Sequence, residues 1–310
     1  MNVTTAQRHP GPPPAHPPGA ASIAGSTVHH MFSSGLREDY RVTVVPPRQW
    51  RPATPVLYVL DAHAFLETAV GAARLLGSFG TLPDCPQVCV VGVGPATDDF
   101  GAAMRIRGRD LTPTVWRQPN PRRQGSTESG GAARFLDFLT GDVIPWVEAE
   151  YPVDPMRRTL FGASLGGLFG LYTLFHRPRA FAGYVLSSPA TWWDDGLVLR
   201  YERAWAERHD DLPARVFVGV GELEEDPERY WPPSMATAEE LRRAHIVSTV
   251  ETLAGRLAAR GYPGLRLRQL TLAGHHHLTA VPDALMRGLF WVFVGSVPAG
   301  TCRPIPGTVE

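Results

Sequence analysis

At 310 residues the chain is long enough to bury a sizeable core, as one large α/β domain or two small ones, and a single domain is the expectation. Its 30 basic residues equal its 30 acidic ones, so no basic field draws it to nucleic acid or an acidic membrane surface, and a small molecule is the expected partner. Three cysteines, Cys85, Cys89 and Cys302, are odd in number and lack metal-ligand spacing, which argues against a disulfide framework and for Cys85 and Cys89 as small core hydrophobes.

Residues 1–26 are rich in Pro, Gly, Ala and Ser and cannot bury enough apolar surface to offset the entropy of ordering them, so they read as a disordered tail. The opening residues lack the apolar segment of a secretion signal, and no later run is long and apolar enough to span a bilayer. A soluble cytoplasmic protein without membrane contact is expected, folded over residues 27–296 and ending in a second tail over 297–310.

Strand-like runs follow at Tyr40–Val45, Pro55–Leu60 and Gln87–Val93, with helical spacing over Ala64–Leu76 between the last two. Arg109 and Asp110 are expected on a loop beyond Val93. A helix is predicted over Ala133–Tyr151, then a strand entering Leu160-Phe161, strands at Gly183–Ser187 and Arg215–Val220, a helix over Ala236–Arg260, a strand at Leu265–Leu272 and a last helix over Pro282–Val294. This alternation predicts an α/β fold, a doubly wound, mostly parallel sheet with helices on both faces. Chemistry in such sheets sits on loops leaving the carboxyl ends of the strands.

At one such end stands Gly162-Ala163-Ser164-Leu165-Gly166, a G-x-S-x-G core between an apolar strand and the helical-looking Leu168–Phe175. The context fits a nucleophile elbow, a tight strand-to-helix turn in which a Cβ at Gly162 or Gly166 is expected to clash. A tight turn carrying a solvated serine is the plainer reading. The base is sought in His275-His276-His277, after the strand ending at Leu272, where one histidine should face Ser164; a metal site or a purely structural run are the alternatives. The acid should fall between serine and histidine in chain order, and Glu224 is the choice within Glu222-Leu223-Glu224-Glu225-Asp226, with Glu222 and Glu225 as rivals and a solvated acidic loop as the plain alternative. Two backbone N–H groups are expected to form an oxyanion hole, that of Leu165 and that of His63, which follows the strand ending at Leu60.

These segments resemble the bacterial esterase group of the α/β-hydrolase superfamily that includes siderophore (enterobactin and salmochelin type) esterases and is related to esterase D. The resemblance is carried by PVLYVLDAHAF, RGRDLTPT, GASLGGLFGLY, SSPATWW, VGELEE and GHHHLTAVPDALMRGLFWVF, and it covers about residues 27–295. Two departures stand out: Ala62 replaces a usual glycine in the oxyanion loop, and His275 stands where a glutamate is usual. The resemblance implies the α/β-hydrolase fold, ester cleavage by a serine hydrolase without metal or organic cofactor, and His277 as the base. In that family some siderophore esterases work with a serine–histidine pair without a strong third member, so the resemblance implies Glu224 less firmly than Ser164 and His277.

Arg109 is a candidate for binding an anionic part of the substrate, the alternative being an Arg–Asp pair that pins its loop. Trp192 and Trp193 suit a ring-bearing ester at the mouth of the site, or else cover the edge of the core. A siderophore esterase is the sharpest expectation. Short-chain ester or thioester hydrolysis, acyl transfer and non-catalytic binding are the alternatives.

Overall fold

The computed structural model describes residues 23–78, 86–116, 128–229, 239 and 244–295. Cys85, Cys302, the 297–310 tail and residues 1–22 of the first tail lie outside them. Ile23 packs against the core, and a turn closed by Ser26 N–H to the Ile23 carbonyl (3.0 Å) leads into the first strand.

Eight strands form one sheet: β1 (Thr27–Ser33), β2 (Glu38–Val45), β3 (Thr54–Leu60), β4 (Cys89–Pro95), β5 (Val153–Ala163), β6 (Gly183–Ser187), β7 (Ala214–Gly221) and β8 (Leu265–Leu272), in the order β1-β2-β4-β3-β5-β6-β7-β8. From β4 to β8 all neighbours are parallel, while β1 and β2 extend the sheet antiparallel beyond β4. The central strands are buried on both faces, which is why they read as near-continuous apolar runs.

Alternate side chains on these strands serve two cores. Leu160 joins Tyr58, Tyr184 and Val216 on one face, and Phe161 joins Val59, Val185 and Phe217 on the other. The second core is covered by α1 (Ala62–Ser78) and the C-terminal helix Ala280–Phe293. The first is covered by α3 (Ala132–Phe138), α4 (Ile144–Glu150), α5 (Leu165–His176), α6 (Trp193–Ala206) and α7 (Ile246–Arg260). The C-terminal helix is α8. Among the described residues no helix is long and apolar enough to cross a membrane.

Two local readings change, and a third is covered only in part. The helix expected over 133–151 is α3 and α4 joined through a π-helical turn at Leu139–Val143. Of the helix expected over 236–260, the structure describes α7 from Ile246, and residues 236–238 and 240–243 lie outside the described set. Arg109 and Asp110 stand in the last turn of a helix, α2 (Phe100–Asp110), rather than on a loop. Its Gly- and Arg-rich sequence hides the apolar stripe, yet Asp99 caps it by accepting the Ala102 N–H at 2.6 Å.

Candidate active site

Ser164 follows the last residue of β5 and precedes α5 at φ 57° and ψ −114°, a conformation that L-residues avoid and that persists only where surroundings enforce it. Three main-chain bonds enforce it. The Ser164 N–H donates to the Ser187 carbonyl (2.9 Å), and its carbonyl accepts from Leu168 and from Ala190 (both 3.0 Å). Close packing does the rest: a Cβ on Gly162 would lie 2.3 Å from the Gly166 carbonyl oxygen, and one on Gly167 would lie 2.8 Å from Pro189 Cα. Gly166 differs from expectation, because a Cβ there would meet nothing nearer than Asp61 Oδ2 at 3.5 Å. The tight neighbour in α5 is Gly167.

Leu165 opens α5, so its N–H has no acceptor within the helix and lies beside Ser164. His63 is the second residue of α1, whose first main-chain bonds run from Ala64 (2.8 Å) and Phe65 (3.1 Å) to the Asp61 carbonyl, so its N–H too has no acceptor within its helix. The loops carrying the two N–H groups leave adjacent strands, β3 and β5, and one side chain joins them. Arg107 of α2 donates from Nε to Asp61 Oδ2 (2.9 Å) and from Nη2 to the Ala163 carbonyl (3.2 Å).

Beyond β7 the chain makes one 3₁₀ turn, Glu222–Glu225, and its acidic residues part company. Glu222 accepts the Gly274 N–H (2.7 Å), while Glu225 accepts Ser248 N–H (2.8 Å) and Oγ–H (2.7 Å) at the start of α7. Glu224 alone turns inward, is 1% exposed and accepts from His277 Nδ1 through Oε2 at 2.5 Å. Its other oxygen, Oε1, accepts from Ser188 Oγ (2.5 Å) and the Gly221 N–H (2.6 Å). An ionised carboxylate only accepts, so His277 carries its proton on Nδ1 and offers Nε2 as a base. His275 instead donates from Nδ1 to the Thr279 carbonyl (2.9 Å) and sets Nε2 3.5 Å from Asp283. Among the described residues no group of three or more His, Cys, Asp or Glu side chains is arranged to hold a metal ion.

Ser164, Glu224 and His277 thus stand at the carboxyl ends of β5, β7 and β8, with His63 and Leu165 at those of β3 and β5. Among the described residues Ser164 Oγ makes no hydrogen bond. Catalytic hydrogen bonds are often long in unliganded structures and tighten only when substrate binds.

Trp192 and Trp193 separate. Trp193 is 1% exposed and donates from Nε1 to Thr114 Oγ1 (3.0 Å), as a core residue would. Half-buried Trp192 meets Trp116 edge to face at 5.7 Å between centroids, two residues beyond the Ala190 that is bonded to the elbow. Trp116 also packs on Trp193 (4.7 Å), and its buried Nε1 has no partner among the described residues. Arg109 donates to Asp110 Oδ1 (2.7 Å), to Tyr40 Oη (3.3 Å) and to Glu38 (3.4 Å), the arrangement of a pin between α2 and β2. Sequence reasoning passed over Arg107, Trp116 and Ser188. Arg107 and Ser188 lie in segments that carried the resemblance, but nothing in their spacing marked them.

Known proteins resemble this chain over most of its length. The model of the family described as "Putative esterase" matches residues 33–264. Ferri-bacillibactin esterase BesA of Bacillus subtilis is 28% identical over 278 residues, 87% of this chain and 90% of that protein. Siderophore triacetylfusarinine C esterase of Aspergillus fumigatus is 32% identical over 225 residues, 67% of this chain and 74% of the relative. The crystal structure of the BES protein from Bacillus cereus superposes with a TM-score of 0.76 at 27% identity, over 91% of this chain and all of that one (100%). An eight-stranded sheet with a strained serine at a strand end, and relatives that share most of its length, make this chain a member of that esterase family, a carboxylic ester hydrolase of the α/β-hydrolase fold.

Proposed function

We propose that this chain hydrolyses siderophore esters and that Ser164, His277 and Glu224 carry the reaction. Ser164 Oγ attacks the ester carbonyl carbon while His277 Nε2 takes its proton. The Leu165 and His63 N–H groups receive the oxyanion of the tetrahedral intermediate. As the intermediate collapses, the bond to the leaving alcohol breaks and His277 returns the proton to that oxygen, leaving an acyl-serine. Water, deprotonated by His277, then attacks the acyl carbon; the bond to Ser164 Oγ breaks, His277 returns the proton to that oxygen, and the acid is released. Glu224 holds the imidazole in the tautomer that this requires.

The observation that carries this reading is the 2.5 Å bond from His277 Nδ1 to the buried Glu224, on strand ends of the sheet that bears the Ser164 elbow. The names of the two curated relatives support the siderophore class. The half-buried Trp192, with Trp116 behind it, supports a ring-bearing part of the substrate near the elbow. Arg109 has no substrate role in this proposal, since its guanidinium is already engaged by Asp110, Tyr40 and Glu38.

The test is hydrolysis of ferric siderophore lactones beside short acyl esters and thioesters, for the parent and for Ser164→Ala, His277→Ala and Glu224→Ala. Siderophore lactones are expected to be the best substrates. Ser164→Ala and His277→Ala should each lower kcat by roughly 10³-fold or more, and Glu224→Ala by roughly 10²- to 10⁴-fold. Cleavage of short esters or thioesters with no lactone cleavage rejects the siderophore class, and fluorophosphonate labelling that survives Ser164→Ala rejects the nucleophile.

A further inference from the structure

Glu224 meets His277 through only one of its oxygens, and the terminal torsion of a glutamate is broad, so something must set which way the carboxylate faces. We propose that Ser188 is a positioning residue of the hydrolytic site, its hydroxyl holding Glu224 Oε1 so that Oε2 meets the imidazole. The inference rests on the triad reading above.

Ser188 is fully buried, and its Oγ–H donates to Glu224 Oε1 at 2.5 Å. Its N–H donates to the Gly219 carbonyl at 2.7 Å, which fastens the residue to β7, the strand leading to Glu224. The backbone there is at φ 45°, in the left-handed region that suits glycine and strains serine. A purely structural turn would be better served by glycine, so the hydroxyl is what the serine contributes. The neighbour Ser187 sharpens the contrast: it is equally buried, yet its hydroxyl has no partner among the described residues. The Gly221 N–H is the second donor to Oε1, and together the two donors leave the oxygen facing His277 as the one free to accept from the ring.

A bond that merely ties the loop after β6 to the turn after β7 would show the same distance, so the test must separate the two roles. Ser188→Gly does so, because it removes the hydroxyl while relieving the backbone strain. With a p-nitrophenyl butyrate assay, kcat should fall roughly 10- to 100-fold, the cost of a small misplacement of a catalytic group, with KM within about twofold of the parent. The thermal midpoint should hold or rise. In a Glu224→Ala background the same substitution should change kcat by less than about twofold, because the group it positions is gone. A Ser188→Gly enzyme with the parent's kcat, or with an equal fold-loss in both backgrounds, overturns the inference while leaving Glu224 in place. A Glu224→Ala enzyme with undiminished kcat overturns the triad reading at Glu224, and the role of Ser188 with it.

Discussion

Asp110 lies 3% exposed at the end of α2, hydrogen-bonded to Tyr40 Oη and to Arg109 Nε. Burial raises its pKa above the usual carboxylate value, and the hydrogen bonds from Arg109 and Tyr40 only partly offset that. The folded chain therefore takes up this proton at a higher pH than the unfolded chain. Between the raised value and the ordinary one, the native state binds more protons, so the contribution of Asp110 to stability grows as pH falls through that window and is lost as pH rises. Urea unfolding of the parent and of Asp110→Asn at pH 7 and at pH 5 checks the sign. The parent should gain on the variant at the lower pH, and a gap that stays constant or moves the other way contradicts the assignment. Arg109, the neighbour of Asp110, shows why the role of a single side chain stays open in sequence. An arginine beside an aspartate reads equally as an anion receptor or as a pin, and the presence of Tyr40 and Glu38 from a distant strand weighs towards the pin.

Between β5 and α5 the chain turns so sharply that the glycines on either side of Ser164 are not equivalent. Gly162→Ala would put a Cβ 2.3 Å from a main-chain oxygen that cannot move without dismantling the elbow. It should cost several kcal/mol (roughly 2–5) and most of the hydrolytic activity. Gly166→Ala meets only ordinary contacts, and inside a helix it should leave stability unchanged or raise it by up to about 1 kcal/mol. Thermal unfolding of the two variants decides, and equal losses would show that the pattern and not the packing sets the constraint. Elements buried on both faces were legible because their apolar runs have no polar alternative. Edge or half-exposed elements escaped, α6 among them, and two show why: β1, with Val28 53% and Phe32 62% exposed, and α2, whose arginines break its apolar face. In both, propensity and pattern are weak, and pairing or packing with the rest of the molecule decides.

Across the whole molecule the proposed site is assembled from loops far apart in the chain, and Arg107 is one of the side chains that tie the first half to the second. It holds Asp61 beside the α1 entry and the Ala163 carbonyl next to Ser164, and so bridges the two loops that carry the proposed oxyanion donors. Arg107→Ala should lower kcat by roughly 10- to 100-fold, with part of the loss restored by added guanidinium. Steady-state kinetics with and without that cation test it, and a kcat equal to the parent's would show that strand pairing alone fixes the spacing. The groups of the proposed site were named from the sequence: Ser164 by its glycines, and the acid and histidine after it by where strands end. What the sequence determined by itself was the set of buried strands and the order of reactive groups along them, because burial and chain order are local properties of the residues. Only the tertiary structure turned Glu224, and not Glu222 or Glu225, toward His277, engaged Arg109 with Asp110, Tyr40 and Glu38, and brought Ser188 under the carboxylate. Each of those choices turns on which way a side chain points across adjacent strands, and that direction is set by packing between segments that the sequence keeps apart.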